Sequence, residues 1–346
     1  MSSQPNGCTA PASMLANDAV LFCTLVLVAR NGTVMFTATD TSTEFVELLD
    51  NWLCHLQRLH IPPLVWSLDE RTHRRLQLRE GVHSVYAPTI KVPQRARPSE
   101  YKRPSSEEYT LTVALKPQVV LRVLRCGFDA IFLDVDVALI RDPLPWLLRS
   151  PTSNLQVSLN YDDRPAQQRV TGLPDLNTGV IFARKDDQTK ALIREWSRLT
   201  SERYDCPRRP PLWACGDQEQ LTRLLKTRCK WRPLSFEAAA GLVGSNDAQN
   251  LICGAPFGAL RIETLPPFRF ASGQSSGLWQ RKANGGRSLA PSELLTFHPN
   301  FGGFAGGGKK AMLRRVRFNS SSTATEDVAS AWCTLRHIVS SIVIVS

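Results

Sequence analysis

Two aspartates, Asp134 and Asp136, lie in a run apolar enough to be a buried strand, AIFLDVDVALI at residues 130–140. In an extended segment alternate side chains project from one face, which predicts both carboxylates side by side with Val135 pointing the other way. Two buried like charges need compensation by a proton, a cationic side chain or a metal ion. The pair predicts a divalent metal with phosphate oxygens completing its coordination, and the alternative is solvation or pairing with Arg141.

Four further positions carry polar side chains beside predicted strand ends or helix starts. His298 follows a short predicted strand and precedes the glycine-rich run PNFGGFAGGGKK, whose backbone N–H groups could cradle phosphate. The ordinary structural interpretation of His298 is a histidine that caps a strand end. The other three residues have ordinary structural interpretations beside a functional one. Asn177, in LNTGV, would form a turn, Asp217 would be a helix N-cap, and Lys116 would be a solvated lysine.

The elements around these residues alternate between strand and helix patterns. We predict strands at 33–38, 64–69, 82–88, 130–140, 155–160, 178–184 and 294–298, and helices at 45–59, 70–80, 111–125, 186–200 and 216–228. The third helix should carry Pro117 in a first turn and end at Gly127. Such alternation predicts an open α/β sheet, mostly parallel, with ligands at the carboxyl ends of its strands.

Composition limits the class of partner. The chain has 346 residues with 42 Lys and Arg against 31 Asp and Glu, a formal net charge of +11, which suits an anionic ligand, a membrane surface or nucleic acid. It has no RNP-type aromatic motif, zinc-finger spacing or long basic block. We therefore expect no nucleic-acid partner.

The cysteines and the N-terminus bear on the compartment. Nine cysteines without a C-x-x-C pair exclude a zinc knuckle and a thioredoxin-like motif, and most are expected to be core or surface thiols. In a secretory lumen Cys206 could pair with Cys215 or Cys229. The apolar run 19–29 is about half the length of a spanning helix and lacks a basic segment before it, so residues 1–29 are expected to hold no complete membrane anchor.

Five segments, taken in order, resemble one enzyme family. They are NGTVMFTATD, KPQVVLRVLRCGFDAIFLDVDVALIRDPLPWL, DLNTGVIFARKD, GDQEQLTRLL and FHPNFGG followed by KK. The set is similar to the nucleotide-diphospho-sugar transferase domain of glycosyltransferase family 77, over roughly residues 30–318. The resemblance implies a single GT-A domain with a Rossmann-like, mostly parallel sheet flanked by helices. Its nucleotide-binding half would span about 30–150 and its acceptor half about 151–318, with a loosely held tail at 319–346.

The resemblance also implies a role for each candidate residue. Metal ligands for Mn²⁺ or Mg²⁺ would be Asp134, Asp136 and His298; donor-binding residues would be Lys116, Asp134, Asn177 and Lys309; and Asp217 and Gln218 would face the reacting sugar. The implied reaction is metal-dependent transfer, with retention, of arabinose, xylose or galactose from a UDP-sugar to a hydroxyl of a glycan or glycoprotein. The implied setting is cell-wall or glycoprotein synthesis in the Golgi lumen or another secretory compartment, with any membrane association through a segment absent from this chain.

Two alternatives stand beside this hypothesis. One is a GT-A scaffold that has lost turnover and acts as a binding partner. The other is a haloacid-dehalogenase-like phosphatase, in which Asp134 would be the nucleophile and Asp136 the acid and base, although that motif usually stands near the start of its domain. Donor and acceptor specificity would depend on loops at 161–174 and 200–216.

Overall fold

The computed structural model describes residues 8–11, 16–40, 43–86, 113–159, 176–201, 216–232, 250–254, 256–266, 269–272, 294–299, 309, 313, 317–318, 329–330 and 333. The helices are α1 Ala16–Val28, α2 Thr43–Arg58, α3 Glu70–Gln77, α4 Lys116–Arg125, α5 Leu144–Leu147, α6 Asp187–Ser201 and α7 Asp217–Arg228. The strands are β1 Thr33–Thr39, β2 Leu64–Ser67, β3 His83–Tyr86, β4 Asp129–Leu133, β5 Ala138–Leu139, β6 Leu155–Leu159, β7 Leu176–Ala183, β8 Cys229–Arg232, β9 Asn250–Cys253, β10 Leu260–Thr264, β11 Phe270–Ser272, β12 Thr296–His298, β13 Arg317–Phe318 and β14 Ala329–Ser330.

Nine strands form one sheet, in the order β3-β2-β1-β4-β7-β6-β10-β9-β8. The first four run parallel to one another, as strands joined by crossover helices must. Strand β7 pairs antiparallel with both β4 and β6, and β10 pairs parallel with β6. Strand β9 then pairs antiparallel with β10, and β8 pairs antiparallel with β9 at the edge of the sheet. The α/β architecture with a Rossmann-like parallel half is therefore confirmed.

Helices cover both faces of the sheet, so its central strands are buried throughout. All five residues of β4 are buried, as a strand enclosed on both faces requires. One face packs against α1, α4, α6 and α7, and the other against α2, α3 and α5. Helix α4 begins with Pro117 in its first turn and ends before Gly127, whose φ of +86° is the left-handed conformation expected there.

The apolar N-terminal run belongs to the core of the sheet domain. It forms α1, whose Leu21 and Leu25 are buried in the same cluster as β1 and β4. In the described ranges, no helix combines the length and the apolar character needed to cross a membrane. Part of the C-terminal tail is also held: β14 pairs with β13, and Cys333 is joined to Cys54 of α2.

Most of the described cysteines form disulfides, which corrects the expectation of free thiols. The pairs are Cys8–Cys23, Cys54–Cys333 and Cys229–Cys253. The suggested Cys206–Cys229 pair is wrong, because the β8–β9 register places Cys229 directly opposite Cys253. Cys206 and Cys215 lie outside the described residues. Cys126 is buried and free.

Candidate active site

The D-x-D motif occupies a turn at the carboxyl end of β4. Strand β4 ends at Leu133, and the Val137 N–H donates to the Asp134 carbonyl at 3.0 Å, which closes a turn that leads into β5. The prediction that both acids lie in the strand is therefore wrong: Asp134 and Asp136 lie in the turn that follows β4, and Val135 between them is buried in the hydrophobic core beside the cleft.

A bulge in β7 positions the second group of polar side chains. In the β6–β7 ladder Val157 pairs with Ile181, but the next residue, Ser158, pairs with Asn177, so residues 178–180 are extra. A bulge re-aims side chains, and here it directs Asn177 and Thr178 to different partners. Asn177 accordingly lies in a strand rather than in the turn that its sequence context suggested.

A short three-stranded sheet brings His298 to the D-x-D turn. Strand β5, directly after the turn, pairs antiparallel with β12 so that Ala138 lies opposite Phe297. His298, the last residue of β12, consequently reaches the aspartates. Its Nδ1 atom lies 3.2 Å from Asn177 Oδ1, which also accepts from the Gly179 N–H at 2.7 Å. Asn177 thus helps to orient the imidazole.

Asp134, Asp136 and His298 form a compact cluster of metal-ligand types. One ligand atom from each lies within 4.8 Å of the others. His298 Nε2 is 3.1 Å from Asp136 Oδ1 and 3.8 Å from Asp134 Oδ2. Nε2 is buried, and among the described residues it has no partner in hydrogen-bonding geometry. The three predicted metal ligands are brought together.

Lys309 completes the surroundings of Asp136. Its Nζ lies 2.6 Å from Oδ2 of Asp136, and the Asp136 side chain is 4% exposed. Burial by itself would raise the pKa of Asp136, but the Lys309 ammonium and the His298 imidazole together hold that pKa far below its usual range. Asp136 is therefore ionised, as a metal ligand must be. The glycine-rich segment before Lys309 lies largely outside the described residues.

Lys116 links the D-x-D turn to the start of α7. Its buried Nζ lies 2.9 Å from both Asp134 Oδ1 and Asp217 Oδ2, and it donates to the Thr178 carbonyl at 3.1 Å. Burial opposes the ammonium form, yet the two carboxylates raise the pKa of Lys116 above its ordinary value. The aspartates are thus compensated by lysines and a histidine, whereas Arg141 is exposed.

Asp217 is not the N-cap of α7. That position belongs to Gly216, and Asp217 is the first helical residue, which frees its carboxylate to point into the site. Thr178 Oγ1 donates to Asp217 Oδ2 at 2.6 Å, and Trp196 Nε1 donates to the Asp217 carbonyl at 2.7 Å. Gln218 follows in the same first turn and is half-buried.

A cleft opens beside the cluster, along the carboxyl ends of β1 and β2. Its lining combines the site residues with mostly apolar side chains: Ala38, Thr39, Asp40, Phe45, Leu68, Val113, Lys116, Phe132, Asp134, Val135, Asp136 and Lys309. In open α/β sheets ligands bind at this edge. The two loops expected to set specificity fall almost entirely outside the described residues.

Three contributors escaped the sequence analysis. Thr178 and Trp196 hold Asp217, and Gly179 makes room for His298, since a Cβ at residue 179 would overlap the imidazole ring. The Thr-Gly pair after Asn177 was the available signal for two of them. That pair is typical of a turn, and a bulge has no sequence pattern of its own.

A comparison with protein families identifies the family of this chain. Residues 58–312, about three quarters of the chain, match the nucleotide-diphospho-sugar transferase family. The chain belongs to that family, and the resemblance to glycosyltransferase family 77 is confirmed. The fold is accordingly a GT-A fold.

Two curated relatives from Arabidopsis thaliana indicate the neighbourhood within the family. The chain is 28% identical over 173 residues to beta-arabinofuranosyltransferase RAY1, covering 49% of this chain and 31% of that protein. It is 29% identical over 178 residues to UDP-D-xylose:L-fucose alpha-1,3-D-xylosyltransferase 3, covering 49% and 44%. The matched region is thus less than half the length of either relative.

Among solved structures, mouse xyloside xylosyltransferase 1 in its apo form is similar with a TM-score of 0.41 and 12% identity. The match covers 78% of this chain and 98% of that one.

Proposed function

We propose that the protein is a metal-dependent, retaining glycosyltransferase that moves a sugar from a UDP-sugar to a hydroxyl of a glycan or glycoprotein. The observation that carries the proposal is the meeting of Asp134, Asp136 and His298 at one end of a cleft that also presents Lys116 and Lys309. Residues that are far apart in the chain converge there, with a buried Asp136, a half-buried Asp134 and a buried histidine side by side, and such clusters of ionisable groups in a cleft are typical of functional sites.

The donor set fits a divalent cation such as Mn²⁺ or Mg²⁺. Asp134 and Asp136 would supply carboxylate oxygens, and His298 would supply the buried Nε2 atom that lacks a hydrogen-bond partner among the described residues. When bound, the ion would neutralise charge that develops on the departing diphosphate. Lys309, whose ammonium lies against Asp136, is placed to add positive charge to the same region.

The cleft suits the nucleotide part of the donor. Thr39, the last residue of β1, and Asp40, which follows it, would provide hydrogen-bonding groups, while Phe45 and Leu68 would provide apolar surface for a base. Its position at the carboxyl ends of parallel strands is the usual place for a nucleotide in an α/β sheet. Binding there would direct the diphosphate toward Asp134 and the sugar toward Asp217.

Retention is proposed because the family resemblance implies it, and no residue is therefore assigned as a separate base for the acceptor. An inverting reaction needs a base on the acceptor side, whereas in a retaining reaction the leaving phosphate can accept that proton on the same face. Asp217 and Gln218 would then support positive charge at the anomeric carbon electrostatically. The arabinosyl and xylosyl activities named for the relatives make pentose donors the first candidates.

A secretory compartment, the Golgi lumen by resemblance, is part of the proposal. Three disulfides in the described part of the chain support it, because disulfides form and persist in oxidising compartments. A role in cell-wall or glycoprotein synthesis would follow from the acceptor. The family match removes the phosphatase alternative, and the inactive scaffold remains as an outcome of the test.

The test is a donor screen. Purified oxidised protein is incubated with Mn²⁺ and UDP-arabinose, UDP-xylose, UDP-galactose or UDP-glucose, and released UDP is measured. We expect release from at least one donor, loss on chelation, and a decrease of at least about 100-fold in Asp136→Asn, which removes a charged ligand.

The matched control is Asp187→Asn, the same chemical change at an exposed surface position. It should leave UDP release unchanged. Wild-type protein that binds UDP and Mn²⁺ but releases no UDP from any donor would support the scaffold instead. Equal turnover by Asp136→Asn would refute the metal role.

A further inference from the structure

Thr178 is a buried residue whose side chain contacts the Asp217 carboxylate. It is 2% exposed and lies in the bulge of β7. Its Oγ1 atom donates to Asp217 Oδ2 at 2.6 Å, and its carbonyl oxygen accepts from Lys116 Nζ at 3.1 Å. A hydroxyl that donates to a carboxylate makes a charge-assisted hydrogen bond, which is stronger and more directional than a neutral one.

Both side-chain contacts of Asp217 fall on the same oxygen. Thr178 Oγ1 and Lys116 Nζ approach Oδ2 at 2.6 Å and 2.9 Å, whereas among the described residues no partner contacts Oδ1. The main chain is fixed as well, since Trp196 donates to the Asp217 carbonyl. A carboxylate that is anchored through one oxygen by two donors keeps its second oxygen in a fixed direction.

We propose that Thr178 is a positioning residue: with Lys116 it anchors Oδ2 of Asp217 and thereby presents Oδ1 to the sugar of the bound donor. The inference rests on the proposed transferase function, in which Asp217 faces the reacting sugar. It deepens that function by assigning orientation of the carboxylate to a hydroxyl that touches no substrate. Preorganised charge acts most strongly when its direction is set before the reaction.

A purely structural role for Thr178 makes a different prediction. If the hydroxyl only satisfied a buried strand, its removal would lower stability and leave the kinetics of the folded enzyme unchanged. If it positions Asp217, kcat falls while donor binding and metal binding persist. The two roles are therefore separable by a kcat against KM comparison.

The experiment compares Thr178→Val, which removes the hydroxyl at nearly constant shape, with Thr178→Ser, which keeps it. Thr37→Val is the matched control, because Thr37 is a fully buried strand threonine whose Oγ1 has no hydrogen-bond partner in the part of the chain that the structure describes. We expect Thr178→Val to lower kcat about 10- to 100-fold, the loss typical of one hydrogen bond to a charged group. The donor KM and the Mn²⁺ concentration for half-maximal rate should change less than about threefold.

Thr178→Ser should restore most of kcat, and Thr37→Val should match the wild type. An active wild type together with an unchanged kcat in Thr178→Val would overturn the inference. So would an equal loss in Thr178→Val and Thr178→Ser.

A second readout does not depend on turnover. Crystal structures of the wild type and Thr178→Ser should show one orientation of the Asp217 carboxylate, and Thr178→Val should show a rotated or split one. A carboxylate that keeps its orientation in Thr178→Val would overturn the inference. A wild type that releases no UDP would end the proposed function, but this structural comparison would still decide whether Thr178 orients Asp217.

Discussion

Replacing Lys116 by methionine should destabilise the fold sharply, because its ammonium compensates two carboxylates at once. Asp217 keeps only 8% of its side chain exposed, so the variant would leave a buried charge without its cation. Breaking a buried pair in this way costs about 3–5 kcal/mol. Asp134 is 30% exposed and can be hydrated, so the loss of its ion pair with Lys116 adds little. We therefore expect Lys116→Met to lower the free energy of unfolding by about 3 kcal/mol, the lower end of that range.

The assay is equilibrium urea unfolding of the full oxidised chain without metal, followed by tryptophan fluorescence. The wild type and the variant must show the same slope of unfolding free energy against urea concentration, so that a shift in the midpoint reports a change in stability alone. The matched control is Lys190→Met, which breaks an exposed pair with Asp187 and should change the free energy of unfolding by less than about 0.5 kcal/mol.

A double-mutant cycle isolates the charge interaction. Lys116→Met combined with Asp217→Asn removes both charges, so the loss should be smaller than the sum of the single losses by about 1.5 kcal/mol or more. Additive losses within about 0.5 kcal/mol would refute the argument. A loss below about 1 kcal/mol in Lys116→Met alone would refute it equally.

Two further predictions concern Gly179 and Cys126. Gly179→Ala should weaken the metal dependence of UDP release and lower stability by about 1–3 kcal/mol, because the added Cβ would overlap the His298 ring; an unchanged Mn²⁺ titration would contradict this. Burial, with Asp18 nearby, raises the pKa of Cys126 to about 11 from an ordinary value of 9.0, so the folded state holds the thiol proton more tightly. Its stabilising effect, up to about 2 kcal/mol, should be complete below pH 9 and lost as the pH rises through 11. Cys126→Ala should flatten that part of the curve of unfolding free energy against pH, and an identical alkaline slope in both proteins would count against the shift.

Sequence patterns predicted the longer elements of the parallel half because those patterns are local, whereas α1, a separate β5 and the short strands β8–β11 were not predicted. The apolar spacing of α2 and the buried run of β4 each determine one element and its buried face. The place of Asp134 and Asp136 at a strand end followed from the same run. The sequence missed that the two acids lie on a turn, because a five-residue strand and a longer one have the same apolar pattern here.

The partners of those acids could not be predicted from residue patterns. His298 reaches Asp136 only because β12 pairs with β5, and Lys116 reaches Asp217 only because α4 and α7 lie on the same face of the sheet. Family resemblance proposed several of these roles without giving their contacts. The bulge that directs Thr178 to Asp217 depends on the β6–β7 register, which packing decides.

By itself the chain's order of residues determined that an α/β sheet forms and that two carboxylates end one of its central strands, because helix and strand periodicities act over a few residues. Tertiary structure alone decided what neutralises those carboxylates, which cysteines pair and which hydroxyl holds Asp217. These depend on strand register and helix packing between distant segments, and no local pattern encodes such long-range geometry.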